Sequence, residues 1–162
     1  NKDIVLNILT EPKKNNDDTK LNSIGDKSNL NSLRISKFEY KEKYDQAYLT
    51  YINGNYENSL SMFNELLELE NINDLTDNCQ YWIGEIYYSL KDYNQAIDAF
   101  SKVFNYKENN KGSYAQYKLG LCYLNINDID NAVESFEQVI NNYNNQADLV
   151  KKSQKFIEKY KN

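Results

Sequence analysis

The chain contains no histidine, and its two cysteines are far apart in the sequence. Histidine is the commonest general base and metal ligand, and two isolated cysteines cannot complete a tetrahedral zinc site. Glycine-rich phosphate loops and nucleophile elbows are also missing. We therefore expect no enzyme, no catalytic residue, no metal, no cofactor and no small-molecule substrate. An acid/base reaction carried out by two carboxylates is the one enzymatic alternative.

Positive charge and long apolar segments are also scarce. The formal net charge is −5 at pH 7, so the positive field that attracts a phosphate backbone is missing and we expect no nucleic acid partner. Runs of consecutive apolar residues, such as Ile4-Val5-Leu6, are far shorter than the roughly 20 residues that cross a bilayer, so no membrane span is predicted. The chain begins at Asn1, and we expect a mature or trimmed product from which a signal peptide or lipid anchor has been removed.

Proline occurs once, at Pro12, and glycine five times, which leaves long windows in which helices need not break. Within these windows the sequence repeats itself: residues 81–88 match residues 117–124 at an offset of 36, and a looser earlier copy lies 37 residues before the first of these. Each copy ends with apolar or small residues at helical spacing. These are Ser59, Phe63 and Leu66, then Ala96, Phe100 and Val103, then Ala132, Phe136 and Val139.

The helical period predicts an all-α fold with seven helices, near residues 36–53, 56–70, 75–90, 93–106, 113–126, 129–143 and 146–160. Three capping pairs mark helix starts: Ser36 with Glu39, Asp92 with Gln95, and Ser113 with Gln116. Short turns within each copy make neighbouring helices antiparallel. Ala47, Gly84 and Gly120 occupy equivalent positions, where the lack of a large side chain lets the second helix of each copy approach closely.

A small residue, an aromatic residue three positions on, a turn, and then Ala, Phe and Val form a pattern that resembles the tetratricopeptide repeat. Residues 40–144 resemble three such repeats, near 40–74, 77–110 and 113–144. The resemblance implies a right-handed α-α superhelix of three helical hairpins, whose function is to bind a protein or peptide. We expect the domain to span residues 36–162, with a capping helix at 146–160, and residues 1–35 to form a polar tail or linker.

The segment 81–88, with Lys118-Leu119-Gly120 one repeat later, also resembles the C-terminal domain of the Tol-Pal accessory protein family YbgF (CpoB). This resemblance implies a periplasmic protein that helps to coordinate outer-membrane constriction with cell division. A second resemblance, to the outer-membrane assembly lipoprotein family BamD, implies a similar repeat stack in the same compartment. A cytosolic adaptor of the same shape is the alternative with a cytoplasmic location.

In such a stack the first helix of each hairpin lines the concave side, and positions i, i+4 and i+7 of these helices form stripes along it. The stripes are rich in tyrosine, which offers a large contact area at low conformational cost and suits peptide recognition. The residues predicted to line this partner-binding groove are Tyr44, Tyr48, Tyr51, Tyr81, Trp82, Glu85, Tyr88, Tyr117, Leu121 and Leu124.

Several groove residues allow two interpretations. Each ring either contacts a partner or packs between neighbouring first helices. Trp82 is either an interface anchor or a wedge between the first two repeats, and Glu85 is either a solvated carboxylate or a contact to a basic partner segment. Chaperone-binding members of the family grip a C-terminal carboxylate with Lys, Arg and Asn, and here only Lys118 matches, so we do not expect a chaperone C-terminus as the ligand.

The two cysteines give a test of the repeat alignment. Cys79 aligns with Ala115, so Cys122 lies seven residues further along a neighbouring helix, a displacement of about 10 Å at 1.5 Å per residue. With the usual spacing between helix axes, their α-carbons are too far apart for a disulfide. We expect two buried free thiols.

Overall fold

The computed structural model describes residues 35–69, 74–107 and 109–160. Within these ranges the chain is all-helical, as predicted, and has no strand. Of the tail predicted at residues 1–35, residues 1–34 lie outside the described residues. The helices are α1 (Lys37–Ile52), α2 (Tyr56–Glu68), α3 (Thr76–Ser89), α4 (Tyr93–Lys102) followed by a 3₁₀ helix (Val103–Asn105), α5 (Gly112–Asn125), α6 (Ile129–Asn142) and α7 (Ala147–Tyr160).

Two of the three predicted capping residues begin a helix. The Ser36 hydroxyl accepts a hydrogen bond from the Glu39 amide, and the Asp92 carboxylate accepts one from the Gln95 amide. The prediction for Ser113 is wrong, because α5 begins one residue earlier and Ser113 is buried inside it.

The start of α5 is held by a residue from another helix. The buried carboxylate of Asp77, in the first turn of α3, accepts hydrogen bonds from the backbone amides of Asn110 at 2.7 Å and Lys111 at 3.3 Å. A carboxylate satisfies the free amides at a helix N-terminus and interacts favourably with the helix dipole. The cap therefore links consecutive hairpins.

Three equivalent turns join the two helices of each hairpin. Their central residues, Gly54, Lys91 and Asn127, all have positive φ, of 76°, 61° and 61°. Only the first is a glycine, the residue that adopts this conformation without steric cost. The same turn is thus formed by three different residues, which shows that the packing of the hairpin dictates the conformation.

A phenylalanine from each second helix fills the centre of its hairpin. Phe63, Phe100 and Phe136 are all buried. An ideal Cβ atom placed on Gly84 would lie 2.5 Å from the Phe100 ring, and one on Gly120 would lie 2.6 Å from the Phe136 ring. The recurring small residue is therefore required by close packing, as predicted.

A pair of glutamines closes the second and third hairpins in the same way. Gln80 donates to the backbone carbonyl of Ala99 at 3.0 Å, and Gln116, one repeat later, donates to that of Ser135 at 3.4 Å. Both amides are buried, where a hydrogen bond is needed to offset the loss of hydration. The sequence analysis did not predict this contact, because the position of a glutamine on a helix does not indicate which distant carbonyl group it will reach.

The stack has two layers and a cap. The first helices lie in one layer, which we call the inner layer, and the second helices lie in an outer layer; α1 contacts α3 directly, and α5 contacts the capping helix α7. Helix α7 closes the C-terminal end, where the Phe156 ring stacks on Phe136 with centroids 4.9 Å apart. None of the helices in the described ranges is both long and apolar enough to cross a bilayer.

Both cysteines are buried free thiols, as predicted. Cys79 lies 3.5 Å from the buried Tyr40 hydroxyl. Burial disfavours the thiolate and raises the pKa of each thiol to about 12. These cysteines are thus packing residues and poor nucleophiles at neutral pH.

Candidate partner-binding groove

The inner face of α1, α3 and α5 forms the candidate groove. All ten residues predicted to line it lie on these three helices. Eight of them are half-buried, so that they both pack against the protein and present part of their surface to solvent, whereas Tyr81 and Glu85 are buried. The contacts divide the groove into two junctions of different chemistry.

The aromatic junction joins the first and second hairpins and consists of Tyr44, Tyr48, Tyr51 and Trp82. The indole nitrogen of Trp82 donates to the Tyr44 hydroxyl at 2.7 Å. Its ring lies 4.7 Å from that of Tyr48 and 5.3 Å from that of Tyr51, measured between centroids. Trp82 is thus wedged between the first two repeats, which was one of the two interpretations. Burial raises the pKa of Tyr44 to about 12.

Tyr81 differs from the expectation of an exposed groove residue. Its side chain is only 7% exposed, and its ring packs edge-on to Trp82 and lies 5.6 Å from Phe100. Burial, and next the nearby Glu85 carboxylate, raise the pKa of Tyr81. The reason is that Tyr81 lies on the side of α3 that faces α4 as well as α5, so its ring is covered from both.

The ionic junction joins the second and third hairpins and consists of Glu85, Tyr88 and Lys118. The Lys118 ammonium nitrogen lies 2.8 Å from one carboxylate oxygen of Glu85 and 2.9 Å from the other. It also lies 4.6 Å from the centroid of the Tyr88 ring, a cation–π contact. The expectation of a solvated Glu85 carboxylate is therefore wrong, whereas its contact to a basic partner segment stays a prediction. Lys118 lies one repeat away in sequence, and only the stacking of the hairpins brings it to Glu85.

Hydroxyl groups at the C-terminal ends of the first helices also pair across the junctions. The Tyr51 and Ser89 hydroxyls lie 3.5 Å apart, and the Asn125 side-chain amide donates to the Tyr88 hydroxyl at 3.5 Å. Burial raises the pKa of Tyr88, while Lys118 acts in the opposite direction. The polar groups of this part of the groove are thus paired with one another.

The third stripe, on α5, lies next to the C-terminal cap. The Tyr117 ring lies 5.6 Å from Phe136 and 6.4 Å from Phe156, so it takes part in the packing of the C-terminal cap. Leu121 and Leu124 are half-buried on the same helix. They extend the apolar surface beyond the ionic junction.

Two exposed residues on the inner face were not predicted. Ile52 follows Tyr48 by one helical turn and is 58% exposed, and Tyr114 precedes Tyr117 by nearly one turn and is 43% exposed. Lys111, ahead of α5, lies over the rings of Tyr81 and Tyr114. A search at i+4 around the predicted stripes would have found Ile52.

Comparison with protein families agrees with this geometry. Residues 78–110 and 114–145 each match a model of the tetratricopeptide repeat. These two segments are tetratricopeptide repeats. They coincide with the second and third hairpins, on either side of the ionic junction. No curated protein matches the sequence.

Solved structures with tetratricopeptide-type folds superpose on most of the chain. PcrH from Pseudomonas aeruginosa is 18% identical, with a TM-score of 0.68 over 80% of this chain and 96% of PcrH. The type III secretion translocator chaperone SycD from Yersinia enterocolitica is 19% identical, with a TM-score of 0.63 over 86% of this chain and 98% of SycD. A third structure holds PcrH in complex with the chaperone binding region of PopB and is 18% identical, with a TM-score of 0.66 over 75% of this chain and 97% of that one.

These likenesses establish the fold of the chain. They leave the narrower resemblance to the YbgF family, and the periplasmic location that it implies, as predictions.

Proposed function

We propose that this protein is an interaction scaffold that binds a linear segment of a partner protein along the inner face of α1, α3 and α5. The observation that carries the proposal is the aromatic junction. Tyr48, Tyr51 and Trp82 are only half-buried, and Ile52 extends their apolar surface toward solvent. Aromatic anchors that are already packed lose little conformational freedom on binding, which favours affinity.

The comparison with PcrH supports the same mode of action. PcrH has a similar fold and has been solved in complexes with the chaperone binding regions of PopB and of PopD. In this protein the residues that would meet such a segment lie on the three first helices. At the usual spacing of 8–10 Å between helix axes, an extended segment of about eight residues would cross all three.

The single tryptophan gives a direct test, because Trp82 lies in the groove wall. Twelve-residue peptides of varied composition are titrated against the protein while tryptophan fluorescence is recorded. We expect a saturable change for a subset of peptides, and Ile52→Ser should weaken their binding about tenfold, since an interface anchor contributes about 1.4 kcal/mol or more.

The matched control is Phe104→Ser, which removes an exposed apolar side chain after α4, in the outer layer. This variant should bind like the wild type. If Phe104→Ser weakens binding and Ile52→Ser does not, the site lies on the outer layer and the proposed groove is wrong.

We further propose that the protein lies in the bacterial cell envelope and has a Tol-Pal-linked role in cell division. This proposal rests on the resemblance of residues 81–88 and Lys118-Leu119-Gly120 to the YbgF family. A BamD-like assembly component and a cytosolic adaptor are the alternatives. Fractionation of cells that produce the full-length protein tests it: recovery in the periplasm supports the envelope role, and recovery with cytosolic markers contradicts it.

A further inference from the structure

The centre of the groove contains two opposite charges that neutralise each other. The side chains of Glu85 and Lys118 are only 11% and 22% exposed, respectively, and the ammonium nitrogen touches both carboxylate oxygens. Tyr88 covers the ammonium group from a second side. Neither charge is therefore available to a ligand unless the ion pair separates.

A charged ligand group placed at this point would lose hydration without gaining a counter-charge. Desolvating an ion is costly unless it is paired, and separating a partly buried ion pair leaves another charge uncompensated. An aliphatic or aromatic group has no such cost, and the half-buried Leu121, nearly one helical turn from Lys118, offers it apolar contact. The ionic junction thus selects against charge of either sign.

We infer that the partner segment is uncharged where it crosses the ionic junction, and that Glu85 and Lys118 set this specificity by neutralising each other. The inference rests on the proposed function of the groove. It also names the ligand class: a segment with aliphatic or aromatic side chains, bounded by polar or charged residues only beyond the junction.

Other charged groups lie near the inner face, and their influence on the binding of charged peptides must be distinguished from that of the Glu85–Lys118 pair. Lys41 and Asp45 form an exposed ion pair on α1. Lys111 brings a positive charge to the surface beside Tyr114, at the opposite end of the helices from Asn125. Of these, Lys111 is the group that could attract an acidic peptide to the wild-type protein, so it needs its own control.

The inference predicts a switch of specificity when one partner is neutralised. Glu85→Gln leaves the Lys118 ammonium group free to pair with a ligand, and this variant should gain affinity for peptides with an acidic centre. Lys118→Gln leaves the Glu85 carboxylate free and should gain affinity for peptides with a basic centre. A partly desolvated ion pair makes a gain of about five- to tenfold reasonable.

The test uses three twelve-residue peptides that are identical except at two central positions, which are Leu-Leu, Glu-Glu or Lys-Lys. Each is titrated against the wild type, Glu85→Gln and Lys118→Gln by Trp82 fluorescence, after circular dichroism has shown that both variants are helical. Asp98→Asn is the matched control, because it removes a carboxylate from an exposed ion pair on α4. Lys111→Gln controls for attraction by Lys111.

We expect the wild type to bind the Leu-Leu peptide at least tenfold more tightly than both charged peptides, and Glu85→Gln and Lys118→Gln to shift this preference in opposite directions. Asp98→Asn should behave like the wild type. Equal or tighter binding of a charged peptide by both the wild type and Lys111→Gln would overturn the inference and leave the scaffold function standing. Binding of no peptide by any form would instead count against the groove itself.

Discussion

The two junctions of the groove occupy equivalent places in the repeat and are built from opposite chemistry. Trp82 and Lys118 share one repeat position, 36 residues apart, and each packs against the preceding first helix. The residues that they meet, Tyr48 and Glu85, are likewise equivalent, 37 residues apart. The repeat geometry therefore accepts either a pair of rings or a pair of charges at this contact.

The two solutions have different energetic properties. Ring packing is insensitive to salt and stabilises through buried area and dispersion. A partly buried ion pair stabilises little overall, because desolvation offsets the attraction, but it is costly to break from one side only. The aromatic junction should therefore contribute more stability, and the ionic junction more selectivity.

Alkaline pH is expected to have the largest effect on the free energy of unfolding, because two buried thiols, Cys79 and Cys122, respond to it together. Burial raises the pKa of Cys79 and Cys122 from 9.0 to about 12. Between these values the unfolded thiols lose their protons while the folded ones keep them, so stability falls as pH rises. Each thiol should lower the free energy of unfolding by about 1.4 kcal/mol per pH unit above pH 9.

Thermal unfolding followed by circular dichroism from pH 8 to 11 measures this dependence. The variant with both Cys79→Ala and Cys122→Ala should show a clearly shallower slope. If the wild type and this variant lose stability with the same slope, the loss comes from other groups, such as the tyrosines whose pKa is raised, among them Tyr44.

Replacement of Trp82 by alanine tests the aromatic junction. The change removes the ring contacts to Tyr48 and Tyr51 and the hydrogen bond to Tyr44, and we expect a loss of about 3 kcal/mol, at the low end for Trp→Ala because the ring is half-buried. Urea unfolding followed by circular dichroism measures it. Trp82→Phe, which keeps an aromatic ring, should lose less than half as much; a loss below 1 kcal/mol for Trp82→Ala would contradict the wedge.

The ionic junction is tested by breaking it and then by replacing it. Lys118→Met leaves the Glu85 carboxylate without its ammonium partner and should cost about 2 kcal/mol. The double change Glu85→Tyr with Lys118→Trp copies the aromatic junction and should recover most of this loss, because apolar replacements of such pairs are often neutral or stabilising. Urea unfolding at low and high NaCl measures both effects.

High salt should destabilise the wild type slightly at this junction and leave the double variant unaffected, since salt screens the ion pair and not the rings. The exposed pair of Asp98 and Lys102 is the reference, and Asp98→Asn should change stability by less than about 0.5 kcal/mol. If Lys118→Met is as mild as Asp98→Asn, the junction behaves as an ordinary surface pair.

A smaller effect than at either junction is expected from the glutamines that close the hairpins on either side of the ionic junction. Gln80→Ala leaves the Ala99 carbonyl without its donor, and Gln116→Ala does the same to the Ser135 carbonyl. A buried hydrogen bond contributes about 1 kcal/mol. Urea unfolding should show the larger loss for Gln80, whose bond is shorter; a larger loss for Gln116 would reverse this ranking of the two hairpins.

Local patterns in the sequence were sufficient for the secondary structure. The 3.6-residue period and the caps Ser36 and Asp92 place helices within a few residues of their observed bounds, because both depend on neighbours one turn away. The repeat offset extends this to packing: Gly84 and Gly120 signal a close approach because the same small residue recurs at the same place. It also predicts that Cys79 and Cys122 are too far apart for a disulfide, and both are free thiols in the structure.

What the tertiary structure alone decided is which side chains meet across different hairpins. No local rule says that Lys118 reaches Glu85, that Asp77 caps α5 in place of Ser113, or that Tyr81 is covered rather than exposed. These contacts depend on the angle between hairpins and on rotamers selected by neighbours more than thirty residues away. The sequence by itself determined a stack of helical hairpins with a tyrosine-rich inner face, and the packing of that stack made one part of this face aromatic and another an internally neutralised ion pair.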